Sequence, residues 1–89
     1  MVMRGRRIEV GLLFSKKAAA WVKDKTWHPS QETTLLKDGR LRITLKVADT
    51  DELLGWILSF GSRVKVVSPE SLRNKVSDEA KRIWQALRA

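Results

Sequence analysis

The sequence predicts an α+β fold: a ferredoxin-like split βαβ arrangement, in which a four-stranded antiparallel sheet carries two helices on one face, plus a C-terminal helix. Three observations lead to it. Residues 7–14 and 40–47 alternate apolar and polar side chains with the period of two of half-buried strands. Helical periodicity recurs over residues 16–25, 50–60 and 69–88. The turn Lys37-Asp38-Gly39 then joins the second strand to the third as a hairpin.

In the first strand Ile8, Val10, Leu12 and Phe14 fall on one face, with Arg7, Glu9, Gly11 and Leu13 on the other. Ser15 is placed to cap a helix beginning at Lys16-Lys17, in which Ala18, Trp21 and Val22 share a face until the pattern ends near Lys25-Thr26. Pro29 pushes His28 toward extended geometry, so Trp27-His28-Pro29-Ser30-Gln31 reads as a connector into a second strand at residues 31–36. Gly39 supplies the positive φ that a three-residue hairpin loop needs. The third strand turns Leu41, Ile43, Leu45 and Val47 inward and Arg40, Arg42, Thr44 and Lys46 outward.

Asp49 or Thr50 caps the second helix, Asp51 and Glu52 suit its positive N-terminal end, and Gly61 closes it. Leu53, Trp56, Ile57 and Phe60 share its core arc, whereas Leu54 and Leu58 lie off that arc and need another cover. Residues 63–67 form the fourth strand, with Val64 and Val66 opposite Arg63, Lys65 and Val67. Pro69 opens the last helix at its first position. There Leu72, Val76, Ala80, Ile83 and Leu87 make one stripe with Trp84 on its flank, for packing beside the other helices or over the open sheet face.

A chain of 89 residues fits one domain, residues 1–89, that buries roughly 60% of its unfolded surface. The lack of cysteine excludes a disulfide framework and a thiolate metal site, and a single histidine excludes a multi-histidine site, so neither metal nor cofactor is expected. No apolar run approaches the roughly 18 residues of a membrane span, and the start at Met1 lacks a signal-peptide apolar region, which places the chain in the cytoplasm as an expectation. No internal repeat is visible at periods of about 20 to 50 residues. The net charge of +8 and pI near 10.5 point to an anionic partner.

Several short segments now stand in a fixed order: Leu13-Phe14, Trp27-His28-Pro29-Ser30-Gln31, Asp38-Gly39, Glu52-Leu53-Leu54, Trp56-Ile57-Leu58-Ser59-Phe60-Gly61, Val64-Lys65-Val66-Val67, Pro69, Leu72-Arg73 and Val76. Together they resemble the C-terminal extension domain, called WCX, of bacterial WYL-domain transcriptional regulators. The resemblance implies a parent with an N-terminal winged helix-turn-helix that binds duplex DNA, a central ligand-sensing WYL domain, and this module packed against the WYL domain or its dimer mate. It also implies a homodimer formed through that parent, and an effector that in some members is a nucleic acid, including single-stranded DNA. Neither upstream domain is in this sequence, as expected of an excised piece or of a stand-alone module.

Candidate binding residues follow from the strand alternation. Arg7, Arg40, Arg42, Lys46, Arg63 and Lys65 point to the open sheet face, against the acid Glu9, and suit phosphate or another anion. The alternative is that these charges only keep the sheet soluble. RNA-recognition domains share the topology but stack bases on central-strand aromatics, where this chain has Glu9, Gly11, Arg42 and Thr44. His28 and Ser30 are expected to hydrogen-bond around Pro29, while Trp27, Trp21 and Trp56 fill the core. Leu54, Leu58 and Trp84 are assigned to an interface.

No enzyme is expected. Acylphosphatases share the size and strand order but need a glycine-rich phosphate loop after the first strand, where this chain has Phe14-Ser15-Lys16-Lys17. No nucleophile with a positioned base is apparent either. The expected function is a regulatory and dimerisation module that helps a WYL-type sensor hold an anionic effector controlling DNA binding by the upstream domain. The alternative is a structural oligomerisation element with incidental positive charge.

Overall fold

The structure, a computed structural model, describes residues 7–88. Four strands, β1 (Arg7–Phe14), β2 (Glu32–Leu35), β3 (Leu41–Ala48) and β4 (Val64–Ser68), alternate with α1 (Lys16–Val22) and α2 (Asp51–Leu58) and precede α3 (Glu70–Arg88). The sheet order is β2-β3-β1-β4 with every neighbouring pair antiparallel. The crossover through α1 therefore passes β3, and the crossover through α2 passes β1, which is the expected ferredoxin-like topology.

The alternation of β1 and β3 places Val10, Leu12 and Phe14 beside Leu45, Ile43 and Leu41 in register, and all six are buried. Helix residues Ala18, Ala19, Val22, Leu53, Ile57 and Leu72 cover them, with Phe60 and Val66 completing the core. Fully burying a large aliphatic or aromatic side chain is worth roughly 1.5–3 kcal/mol, so this one layer holds most of the stabilising surface. The Ser15 hydroxyl caps α1 by accepting from the Ala18 N–H at 3.3 Å, and the Thr50 hydroxyl caps α2 by accepting from Leu53 at 3.2 Å. Asp49 is left to pair with Lys75 at 2.9 Å, tying α3 to the start of α2.

Gly39 adopts φ 93°, which the turn requires of glycine, and a Cβ there would also displace the exposed Lys16 stem, whose Cγ would lie 2.9 Å away. Gly61 takes φ 60° after α2 and leads through a 3-10 turn, Gly61–Arg63, into β4. Arg63 thus lies in that turn and not in the strand. Pro69 precedes α3, its carbonyl accepting the Arg73 N–H at 3.1 Å, instead of occupying the first helical position.

Two packing expectations are corrected. Trp21 is 47% exposed, because α1 turns Ala18, Ala19 and Val22 to the sheet and that arc carries Trp21 to its outer flank. α1 also ends at Val22, and the chain then turns before the connector. Of the α3 stripe only Leu72 is buried and Val76 half-buried, while Ile83, Trp84 and Leu87 are 45%, 58% and 81% exposed. α3 packs beside β4 and α2, and its 19 residues, about 28 Å long, outrun the five of β4, about 17 Å. Its C-terminal half therefore projects with no cover from the described residues.

Candidate anion-binding face and the aromatic end of the sheet

Register defines the sheet face opposite the core. One row across it reads Thr34, Arg42, Leu13, Lys65, and the next reads Glu32, Thr44, Gly11, Ser68. Further along β1 and β3, Lys46 stands beside Glu9 and Ala48 beside Arg7. The backbone N–H of Ser15 donates to the Arg63 carbonyl at 2.8 Å, bringing the turn before β4 against the end of β1. There Arg40, Arg63 and Lys65, with Leu13, Ser15 and Ser62, line a shallow groove of about 160 Å³.

The six expected cations therefore divide between two ends. Arg40, Arg42, Arg63 and Lys65 gather at the groove end, whereas Arg7 and Lys46 lie toward the other end beside Glu9. Arg42, Arg63 and Lys65 make no ion pair among the described residues. The acids are more numerous than the sequence suggested. Glu32 shares this face through its pairing with Thr44, and Asp38 pairs with Arg40 at 2.8 Å. The Arg40 backbone N–H, supported by its guanidinium, holds the Asp38 carboxyl below its ordinary value of 3.8. Both side chains of that pair are about half exposed, so solvent screens it and Arg40 keeps donors for another anion.

The other end of β3 meets the Trp27-to-Gln31 connector. The Gln31 side-chain carbonyl accepts from the Trp27 N–H at 2.7 Å, and its amide donates to Lys25 O and Thr33 Oγ1, both at 3.1 Å. The Ser30 hydroxyl accepts from the Lys46 N–H at 2.8 Å and faces the Lys46 carbonyl at 3.3 Å. Since Glu32 pairs with Thr44, position 30 falls opposite Lys46, and the hydroxyl extends the β2–β3 ladder one step past the strand end. His28 Nδ1 lies 2.7 Å from that hydroxyl and accepts from the Ser30 N–H at 3.1 Å. Pro29 fixes the intervening bend.

Aromatic packing joins this connector to α2. Phe60 is met by Phe14 at 5.0 Å, Trp56 at 5.4 Å, Trp21 at 5.7 Å and Trp27 at 6.1 Å between ring centroids. Of the residues assigned to an interface, Leu54 and Leu58 are half-buried on α2, and Trp84 is exposed with the Arg88 guanidinium 4.5 Å from its ring. The groove residues Ser15 and Ser62 and the acid Glu32 were missed by sequence reasoning. Ser15 was read only as a cap, and Glu32 could have been found by counting back from the Lys37-to-Gly39 turn, which sets Leu36 opposite Arg40 and so Glu32 opposite Thr44.

The sequence has matches among known proteins. The chain belongs to the WCX domain family, the C-terminal extension domain of WYL-domain transcriptional regulators, with residues 6–84 matched. It is 33% identical over 72 residues to Protein PafC of Mycobacterium tuberculosis, in both strain CDC 1551 / Oshkosh and strain H37Rv. The match takes in 81% of this chain and 22% of PafC, so the chain spans about a fifth of the length of these curated relatives. Among the described residues, no helix is long and apolar enough to cross a membrane.

Proposed function

We propose that this chain is the C-terminal regulatory and dimerisation module of a WYL-type transcriptional regulator. In this reading its basic sheet end helps hold an anionic effector, single-stranded nucleic acid being the leading candidate. Effector binding would shift the parent between states that differ in DNA binding by its winged helix-turn-helix domain. The observation that carries the anion reading is the convergence of Arg40, Arg42, Arg63 and Lys65 on a face that none of the described helices covers. Their spacing along one row and one groove suits successive phosphates better than a single point charge.

The partner reading rests on a different observation. Ile83, Trp84 and Leu87 leave an apolar strip on the uncovered half of α3, and Leu54 and Leu58 add half-buried apolar surface on α2, against which α3 packs. A WYL domain or a second protomer of the parent is the proposed cover.

Titration of the chain with single-stranded oligonucleotides over a salt series tests the anion reading. Binding at low salt is expected to weaken with a log–log slope of about 0.7 per neutralised phosphate. Replacing Arg40, Arg42 and Lys65 together is expected to abolish it. Binding that is absent at low salt, or unaffected by the triple replacement, favours the structural oligomerisation reading instead. Light scattering on the chain with and without Leu54→Glu tests self-association through α2.

A further inference from the structure

On the helix side of the sheet, at the end of β3 away from the basic groove, an open cleft of about 490 Å³ lies between α2 and the Trp27-to-Gln31 connector. This is the size range of sites for small organic ligands. Its walls include the indoles of Trp27 and Trp56, with centroids 5.3 Å apart, and Val47 and Leu53 contribute aliphatic surface between them. The polar groups on it are few: His28, Thr50 and Glu52.

Two donors here, Trp27 Nε1 and His28 Nε2, make no hydrogen bond to the described residues, and the first of them is buried. Trp27 Nε1 is shielded from solvent and meets no acceptor, the one such side-chain atom among the described residues. Buried indole N–H groups ordinarily find one, so this donor is unsatisfied as the chain stands. His28 Nδ1 is occupied as an acceptor by the Ser30 N–H, which places the proton of the neutral ring on Nε2. An indole pair with the unspent Trp27 N–H and the His28 imidazole N–H beside it offers flat apolar contact in the middle and hydrogen bonds at the edge.

We infer that this cleft is a binding site for a free small molecule with a planar aromatic or heteroaromatic ring and a hydrogen-bond acceptor on its edge. The ring lies against Trp27 and Trp56, and a small rotation of the Trp27 indole presents Nε1–H to the acceptor. His28 Nε2–H serves a second acceptor. The site is separate from the basic face at the other end of β3, and the inference does not depend on anion binding there.

NMR titration of the 15N-labelled 89-residue chain tests it with quinoline and benzamide, which have both ring and acceptor, and with cyclohexanecarboxamide, which has the acceptor without the aromatic ring. The aromatic probes are expected to shift the Trp27 and Trp56 indole signals saturably, with dissociation constants around a millimolar. They are expected to bind roughly fivefold more tightly than the non-aromatic amide, while the Trp84 signal stays in place. Val47→Phe, which fills the cleft, is expected to remove the response with the circular dichroism spectrum unchanged, and Trp56→Leu, which removes one wall, to weaken it at least severalfold. No saturable shift at Trp27 up to the solubility limit, equal affinity for the non-aromatic amide, or full retention of binding in a folded Trp56→Leu chain would overturn the inference.

Discussion

Trp27 and Trp56 meet with ring centroids 5.3 Å apart and planes inclined at 55°, joining the connector before β2 to the middle of α2. Both lean on Phe60, whose ring they approach edge-on, and Phe60 is 5% exposed. The two tryptophan-bearing motifs are thus one packing unit with Phe60 at its centre. Edge-to-face contacts of this kind add about 0.5–1.5 kcal/mol to the area buried.

Phe60→Ala is therefore expected to destabilise the chain by about 3–5 kcal/mol, as a cavity at a junction of four rings does not collapse. Trp21→Ala, which removes only a half-exposed ring from the rim of that cluster, is expected to cost about 1 kcal/mol. Urea unfolding followed by far-UV circular dichroism compares the two. Equal losses would contradict a central role for Phe60.

The Ser30 hydroxyl takes the place of a backbone partner for Lys46. Ser30→Ala leaves the exposed Lys46 N–H to water, an expected loss of about 0.5–1.5 kcal/mol. Faster hydrogen exchange at the Lys46 amide, with the Thr44 amide little changed, is the local signature. Ser30→Thr keeps the hydroxyl and is expected to restore protection.

Asp38 titrates below the ordinary aspartate range, chiefly through the Arg40 backbone N–H. Because the folded form holds the proton less tightly, its stabilising effect is fully present above the unfolded value and disappears as pH falls through the lowered native value. Carboxyl NMR titration is expected to show part of the depression surviving in Arg40→Ala, since the backbone donor remains, with the guanidinium's share lost. A complete return to the ordinary value would show that the side chain dominates.

The sheet was legible because β3 alternates without interruption, β1 does so but for Leu13, and Lys37-Asp38-Gly39 sets the hairpin, so Leu41, Ile43 and Leu45 could be assigned inward from their spacing. Trp21 could not, because a short helix leaves its buried arc undetermined until Ala19 is known to face the sheet. Its helical spacing from Ala18 and Val22 suggested that the indole was buried, yet the buried arc runs through Ala18, Ala19 and Val22 and leaves Trp21 on the flank. The basic groove was half legible: the alternation identified Arg40, Arg63 and Lys65, but its serines come from a cap and a 3-10 turn joined through the Ser15-to-Arg63 bond. The cleft beside Trp27 was not legible, since periodicity reports which face is apolar and not whether neighbouring elements close over it.

α3 provides the sharpest contrast between two leucines on one stripe. Leu72 is fully buried against the core, so Leu72→Ala is expected to cost about 2–5 kcal/mol. Leu87 is 81% exposed on the projecting half, and Leu87→Ala is expected to change the stability of this chain by no more than about 0.5 kcal/mol. The same Leu87→Ala change, made with Trp84→Ala in a chain that also carries a WYL domain, as the proposed parent does, is expected to loosen the assembly while leaving each part folded. Thermal unfolding of the short chain and sedimentation of the longer one measure the two effects separately. If the short chain loses several kcal/mol with Leu87→Ala, then α3 is held by its own domain along its whole length, and the exposed strip is not what a partner covers.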